Sequence, residues 1–141
     1  EENVLNKILT PACFMPLWTG MRIPIETVRV MIAQHLLNPR EFFGARPFPV
    51  IAYSHPTYDS EDWWRGPVWP NIAWAMCEVL RIYGYAQQHD EAARRLLSMM
   101  VSSDELNELY SSATGEPLGA PGLDWGCSIF MELAKPRPAD D

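Results

Sequence analysis

The chain has 141 residues, 48% hydrophobic and 21% charged, which is enough apolar content for one folded domain and argues against disorder. Its net charge of -7 and its lack of a Lys/Arg cluster argue against a nucleic-acid partner, because phosphate binding needs a basic face. No apolar run is long enough to span a bilayer, so no membrane partner is expected.

The chain opens at "EENVLNK", with no initiator Met and no signal peptide, and is expected to be a piece of a longer parent. "TPACFMPLWTGM" reads as a short buried helix with Pro16 in its first turn. Pro24 and Glu26 suit a helix start, and Ile25, Val28, Ile32 and Leu36 follow at helical spacing up to Asn38-Pro39. The next segment, from Pro39 to Trp69, is rich in Pro and Gly and reads as a long loop, in which "FPVIAY" has the composition of a short strand. A helix follows Pro70, with Ile72, Met76, Val79, Leu80 and Tyr83 on one face, and stops near Gly84. Asp90 is the expected N-cap of another, with Ala93, Leu96, Leu97, Met100 and Val101 as its stripe. Ser102 and Glu105 have capping-box spacing, which predicts a short helix running on to Tyr110. After a second loop from Ser111 to Leu123, Asp124 opens a last helix with Trp125, Ile129, Phe130 and Leu133 facing inward. The expected fold is therefore all-α, with helices in antiparallel succession joined by elaborate loops. Cys13, Cys77 and Cys127 have neither metal-ligand nor disulfide-framework spacing, so they read as reduced structural thiols, and a cytoplasmic setting is expected.

The loops carry the chemistry. "DWWRGPVWPNIAW" places four tryptophans in one short run. A lone loop tryptophan usually packs under its loop. A cluster, by contrast, offers flat apolar faces for the C–H face of a sugar and N–H edges for its hydroxyls. Trp63, Trp64 and Trp69 supply the rings, and Arg65 adds a planar charged fork. Gly66 permits close backbone approach to a ligand, while Pro67 and Pro70 stiffen the surroundings. In the second loop, "SATGEPLGAPGLDW", Glu116 is the one carboxylate before Asp124. It lies between Gly115 and Pro117, with its backbone held extended by the proline. An exposed turn residue is the plain alternative for Glu116, and a satellite core is the plain alternative for the tryptophans.

"WWRGPVWPNIAW" resembles the Trp-Arg-Gly-Pro-x-Trp-Pro-Asn signature of the glycoside hydrolase family 63 group. That group includes mannosyl-oligosaccharide glucosidases and the bacterial glucosylglycerate and mannosylglycerate hydrolases. "TGEPLGAPGLDW", "FMPLWTGM" and "LLNPREFF" resemble further segments of the group, in the right order. The sequence departs from the pattern at Trp63, where Tyr is usual, and at "LDWGC", where a Phe-Ser-Trp-Thr-like segment is usual. The resemblance implies an (α/α)6 barrel, of which residues 1–141 would form the C-terminal helical hairpins, and inverting hydrolysis of α-glucosides or α-mannosides without a cofactor. It further implies that Glu116 is the general base and that Trp63, Trp64, Gly66 and Trp69 line the sugar site, with Arg65 beside them. The partner general acid is an aspartate upstream of this chain, so the chain alone is expected to be inactive. Its partners would be a carbohydrate substrate and either the missing N-terminal part of the barrel or a second copy. A non-catalytic carbohydrate-binding piece and a helical interaction domain are the competing classes.

Overall fold

The computed structural model describes residues 7–135. A 3-10 turn, Pro11–Phe14, leads into the short helix α1, Met15–Trp18, with Pro16 in its first turn, where its missing N–H costs nothing. Helix α2, Ile25–Val30, continues as a widened π-turn over Met31–Leu36, closed by the Leu37 N–H donating to Ile32 O at 2.9 Å. Val28, Ile32 and Leu36 form its buried stripe, as their spacing predicts, whereas Ile25, expected on the same stripe, is 51% exposed at the start of the helix.

Helix α3, Pro70–Ile82, starts at a proline and buries Ala73, Met76, Cys77 and Leu80. Its end is dictated by Gly84, which takes a left-handed φ of 80°. The Tyr85 N–H returns to Leu80 O at 2.8 Å and the Gly84 N–H to Arg81 O at 3.2 Å, the paired bonds of a Schellman turn. That turn reverses the chain directly into α4, Ala86–Met100. The sequence predicts a start at Asp90. The N-cap is instead Tyr85, five residues earlier, because Tyr85 is packed against the core and the Ala-Gln-Gln that follows favours helix. α4 packs on α3 and buries Ala92, Leu96, Met99 and Met100, whereas Val101, expected to continue its stripe, caps the helix and is 59% exposed. Burying each of the Leu and Met side chains contributes about 1.5–3 kcal/mol.

The segment expected to be a helix from Ser102 to Tyr110 is not one. Ser102 Oγ donates to Met99 O at 2.7 Å in the turn that ends α4, and Asn107–Tyr110 is strand β1. β1 pairs antiparallel with β2, Pro117–Pro121, matching Leu109 with Leu118 and Tyr110 with Pro117, with a bulge between Asn107 and Leu109. Long-range pairing claims the backbone groups that the capping-box spacing assigned to a helix. The fold is therefore helix-rich rather than all-α. "FPVIAY" forms no strand, although the Val50 N–H does donate to Pro67 O at 3.1 Å. Helix α5, Asp124–Ala134, returns to pack on α3 and α4 with Ile129 buried and Phe130 and Leu133 half-buried. Trp125, expected to face inward, keeps 38% of its surface exposed. Among the described residues, no helix is long and apolar enough to cross a membrane.

Three tyrosines tie the loops to this core with raised pKa values. Burial chiefly pushes up the Tyr53 phenol, and the neighbouring Tyr58 adds to the shift. Burial likewise raises Tyr58 and Tyr110. A phenol whose folded pKa lies above its unfolded value of 10.0 stabilises the fold fully below that value. That contribution is lost as pH rises through the folded pKa. The unfolding midpoint is therefore expected to drop as pH climbs above about 10, and to drop less in Tyr53→Phe. Thermal unfolding at a series of alkaline pH values checks this.

Candidate active site

The tryptophan loop is built on itself. The Asp59 N–H donates to Arg65 O at 2.7 Å and the Arg65 N–H to Asp62 O at 2.6 Å, closing a tight loop over residues 59–65. Gly66 is buried, and a Cβ there would lie 2.2 Å from the Asp59 carbonyl oxygen. The close approach that glycine permits is thus to the loop's own backbone. The Arg65 guanidinium pairs with the Asp62 carboxylate. That hydrogen bond holds the Asp62 carboxyl below its ordinary range and Arg65 above its own.

Trp69 is the anchor of the loop. Its ring is 5% exposed and packs with Val50 and Leu109, and its Nε1–H donates to Trp63 O at 3.0 Å. Trp64 stacks on it at 4.5 Å between centroids and 11° between planes. Trp63 meets it edge-on at 5.5 Å, and Trp125 from α5 leans on it at 6.2 Å. Trp64 is 60% exposed and Trp63 45%, so the cluster presents two open rings over one buried one. Phe48 takes a left-handed φ of 66° between Pro47 and Pro49, a conformation uncommon outside glycine. This sharp turn precedes Val50, which packs against Trp69.

The β1–β2 hairpin is pinned beside this cluster. Val68 and Tyr110 exchange backbone hydrogen bonds of 2.8 and 2.9 Å, an isolated bridge that pins the segment leading into Trp69 to the edge of β1. Glu116, at the end of the hairpin turn, is exposed. Its N–H is bound to Thr114 Oγ1 at 3.2 Å, and its carbonyl accepts the Ser111 N–H at 2.9 Å. It borders a cleft of about 400 Å³ with Arg46, Arg94, Arg95, Ser98 and Thr114. Trp64 borders a different groove of about 310 Å³, with Pro11, Met15, Val50 and Ile72, and no residue lines both. The hairpin holds a second carboxylate that the sequence reading passed over. Glu108 on β1 is half-buried, and its Oε2 accepts the Ala120 N–H at 3.3 Å over Gly119, where a Cβ would crowd it at 2.8 Å. Its strand is short and follows the helix-start spacing of Ser102 and Glu105, so no periodicity singles it out.

A family profile described as the mannosylglycerate hydrolase MGH1-like glycoside hydrolase domain matches residues 3–127. The chain is 28% identical over 127 residues to the mannosylglycerate hydrolase of Thermus thermophilus, covering 88% of this chain and 29% of that protein. It is 28% identical over 132 residues to the glucosylglycerate hydrolase of Mycolicibacterium hassiacum, covering 87% of this chain and 28% of that one. Among solved structures, the family 63 mannosylglycerate hydrolase from a second strain of Thermus thermophilus, in complex with Tris, superimposes with a TM-score of 0.75 at 26% identity. That match covers 89% of this chain and 30% of the neighbour, and the same enzyme in complex with glucose gives 0.74 at 25%. The chain thus spans less than a third of the length of these relatives. With a helix-rich scaffold, an aromatic loop that follows the signature, and a profile spanning most of its length, the chain belongs to the mannosylglycerate hydrolase MGH1-like family of glycoside hydrolases, a group similar to glycoside hydrolase family 63.

Proposed function

We propose that this chain is the base-bearing part of an inverting α-glycosidase acting on a glucosyl or mannosyl glycoside such as those its relatives are named for. In this reading its helices are the C-terminal hairpins of an (α/α)6 barrel. The observation that carries it is the exposed Trp64 face stacked on buried Trp69, one strand away from a hairpin with two carboxylates. A ring fixed by stacking and by the loop's closed backbone loses little freedom when a sugar lies on it. Trp63 and Trp64 orient the sugar, Trp69 and Gly66 hold the loop in shape, and Arg65 sits at its exposed side beside Asp62.

A carboxylate of the hairpin then takes a proton from water, which attacks the anomeric carbon opposite the leaving group. The rest of the parent supplies the acid that protonates the leaving oxygen, about 6.5–9.5 Å from the base. Glu116 is the base by its place after the Thr-Gly turn. Glu108 is the second reading, favoured by its half-buried, hydrogen-bonded carboxylate on a strand rather than at a turn, next to the Leu109 that packs on Trp69. The exposed apolar side chains Met21, Ile25, Val30 and Met131 suit packing against the remaining barrel or a second copy. The test is the anomeric configuration of the first sugar released by the complete parent protein from an α-glucosyl or α-mannosyl glycerate, read by NMR. Release of the β-anomer is expected, and initial release of the α-anomer, or no release at all, would sink the proposal.

A further inference from the structure

The turn from Ser111 to Glu116 is gripped from outside by the segment over residues 46–58. Arg46 donates from Nη1 to Ala113 O at 2.5 Å and from Nη2 to the Thr114 carbonyl. Its guanidinium lies against Gly115, where a Cβ would meet Arg46 Nε at 2.6 Å. Gly115 also needs a left-handed φ of 84°, so this residue answers two demands at once. Arg46 is held in turn. Tyr53 Oη donates to the Arg46 carbonyl and reaches Ser112 O at 3.5 Å. The Tyr58 hydroxyl and Ser112 Oγ are 2.7 Å apart, and Ser111 and Ser112 are buried.

The turn's internal bonds run from the Gly115 N–H to Ser111 O at 2.8 Å and from the Thr114 N–H to Ser111 Oγ at 3.2 Å. They leave the 113 and 114 carbonyls to Arg46. Two successive carbonyls are matched by a planar fork that donates to both at once, and a lysine ammonium lacks that fixed fork. We propose that Arg46 is a positioning residue: it locks the hairpin turn through the Ala113 and Thr114 carbonyls and so fixes the carboxylate that the hairpin presents. This rests on the reading that the hairpin supplies the base. A displacement of about 1 Å at a reacting group can cost 10²-fold in rate, so a clamp on peptide carbonyls reads out in turnover.

The test is made in the complete parent protein with Arg46→Ala, Arg46→Lys and Tyr58→Phe. Arg46→Ala is expected to lower kcat by about 10- to 100-fold with KM little changed, the signature of lost positioning rather than lost binding. Low, non-denaturing guanidinium should restore part of that loss, while Arg46→Lys should stay impaired. Hydrogen exchange at the Gly115 amide should speed up in Arg46→Ala and, less, in Tyr58→Phe. An unchanged kcat in Arg46→Ala overturns the proposal. So does a loss that guanidinium does not restore and that tracks thermal stability. An inactive wild-type parent would sink the glycosidase reading instead; the Gly115 exchange then still decides, and unchanged protection in Arg46→Ala overturns the clamp.

Discussion

Replacing the proposed general base with glutamine in the complete parent protein is expected to lower kcat by about 10²–10⁴-fold while sugar affinity changes little. Glutamine is close to isosteric with glutamate, so Glu116→Gln keeps the turn between Gly115 and Pro117, and Glu108→Gln can still accept the Ala120 N–H. What glutamine cannot do is take a proton from water. The two variants therefore separate the two carboxylates by their rates alone. Glu116 is exposed and borders the arginine-lined cleft, whereas Glu108 is half-buried on β1, whose Leu109 packs on Trp69. Small anionic nucleophiles such as azide need no deprotonation, so they should restore turnover in whichever variant has lost the base, giving an inverted glycosyl azide. The measurement is kcat with ligand affinity for wild type and both variants. If Glu116→Gln keeps more than about a tenth of wild-type kcat while Glu108→Gln does not, the base is Glu108. If both keep it, the hairpin carries no base and the chain's role is limited to holding the sugar.

The tryptophan loop gives the second large effect, and it divides structure from function within one cluster. Trp69→Ala is expected to cost about 3–5 kcal/mol of unfolding free energy. Its ring is buried against Val50 and Leu109, and its N–H is bound to Trp63 O. Trp64→Ala removes a ring that is 60% exposed, so it should cost only the stacked pair, about 0.5–1.5 kcal/mol. On the proposed reading, in which the open face of Trp64 is the sugar platform, the same change should weaken sugar binding clearly. Denaturant unfolding and tryptophan fluorescence titration with a glycoside read both quantities. Unchanged sugar affinity in Trp64→Ala would make the cluster a satellite core and nothing more.

The sequence by itself determined the parts of this protein that local physics governs. The stripe Val28, Ile32 and Leu36, the proline starts of α1 and α3 and the stop at Gly84 follow from periodicity, a missing N–H and a left-handed turn, each encoded within a few residues. The tryptophan loop was legible for the same reason: its rings, glycine and prolines are contiguous. Only the tertiary structure decided where non-local contacts compete with local signals. Ser102 and Glu105 carry helix-start spacing, yet Asn107–Tyr110 is a strand because Pro117–Pro121 on one side and Val68 on the other claim its backbone hydrogen bonds. Trp125 lies on the apolar stripe of α5, yet its ring meets Trp69 of the tryptophan loop and stays partly open. The residues around Glu116 come from α4 and from the segment near Arg46, far away in the chain, and Glu108 gains its burial only when β2 folds over it. A carboxylate's usefulness depends on what surrounds it in space, and spacing along a single chain does not encode that neighbourhood.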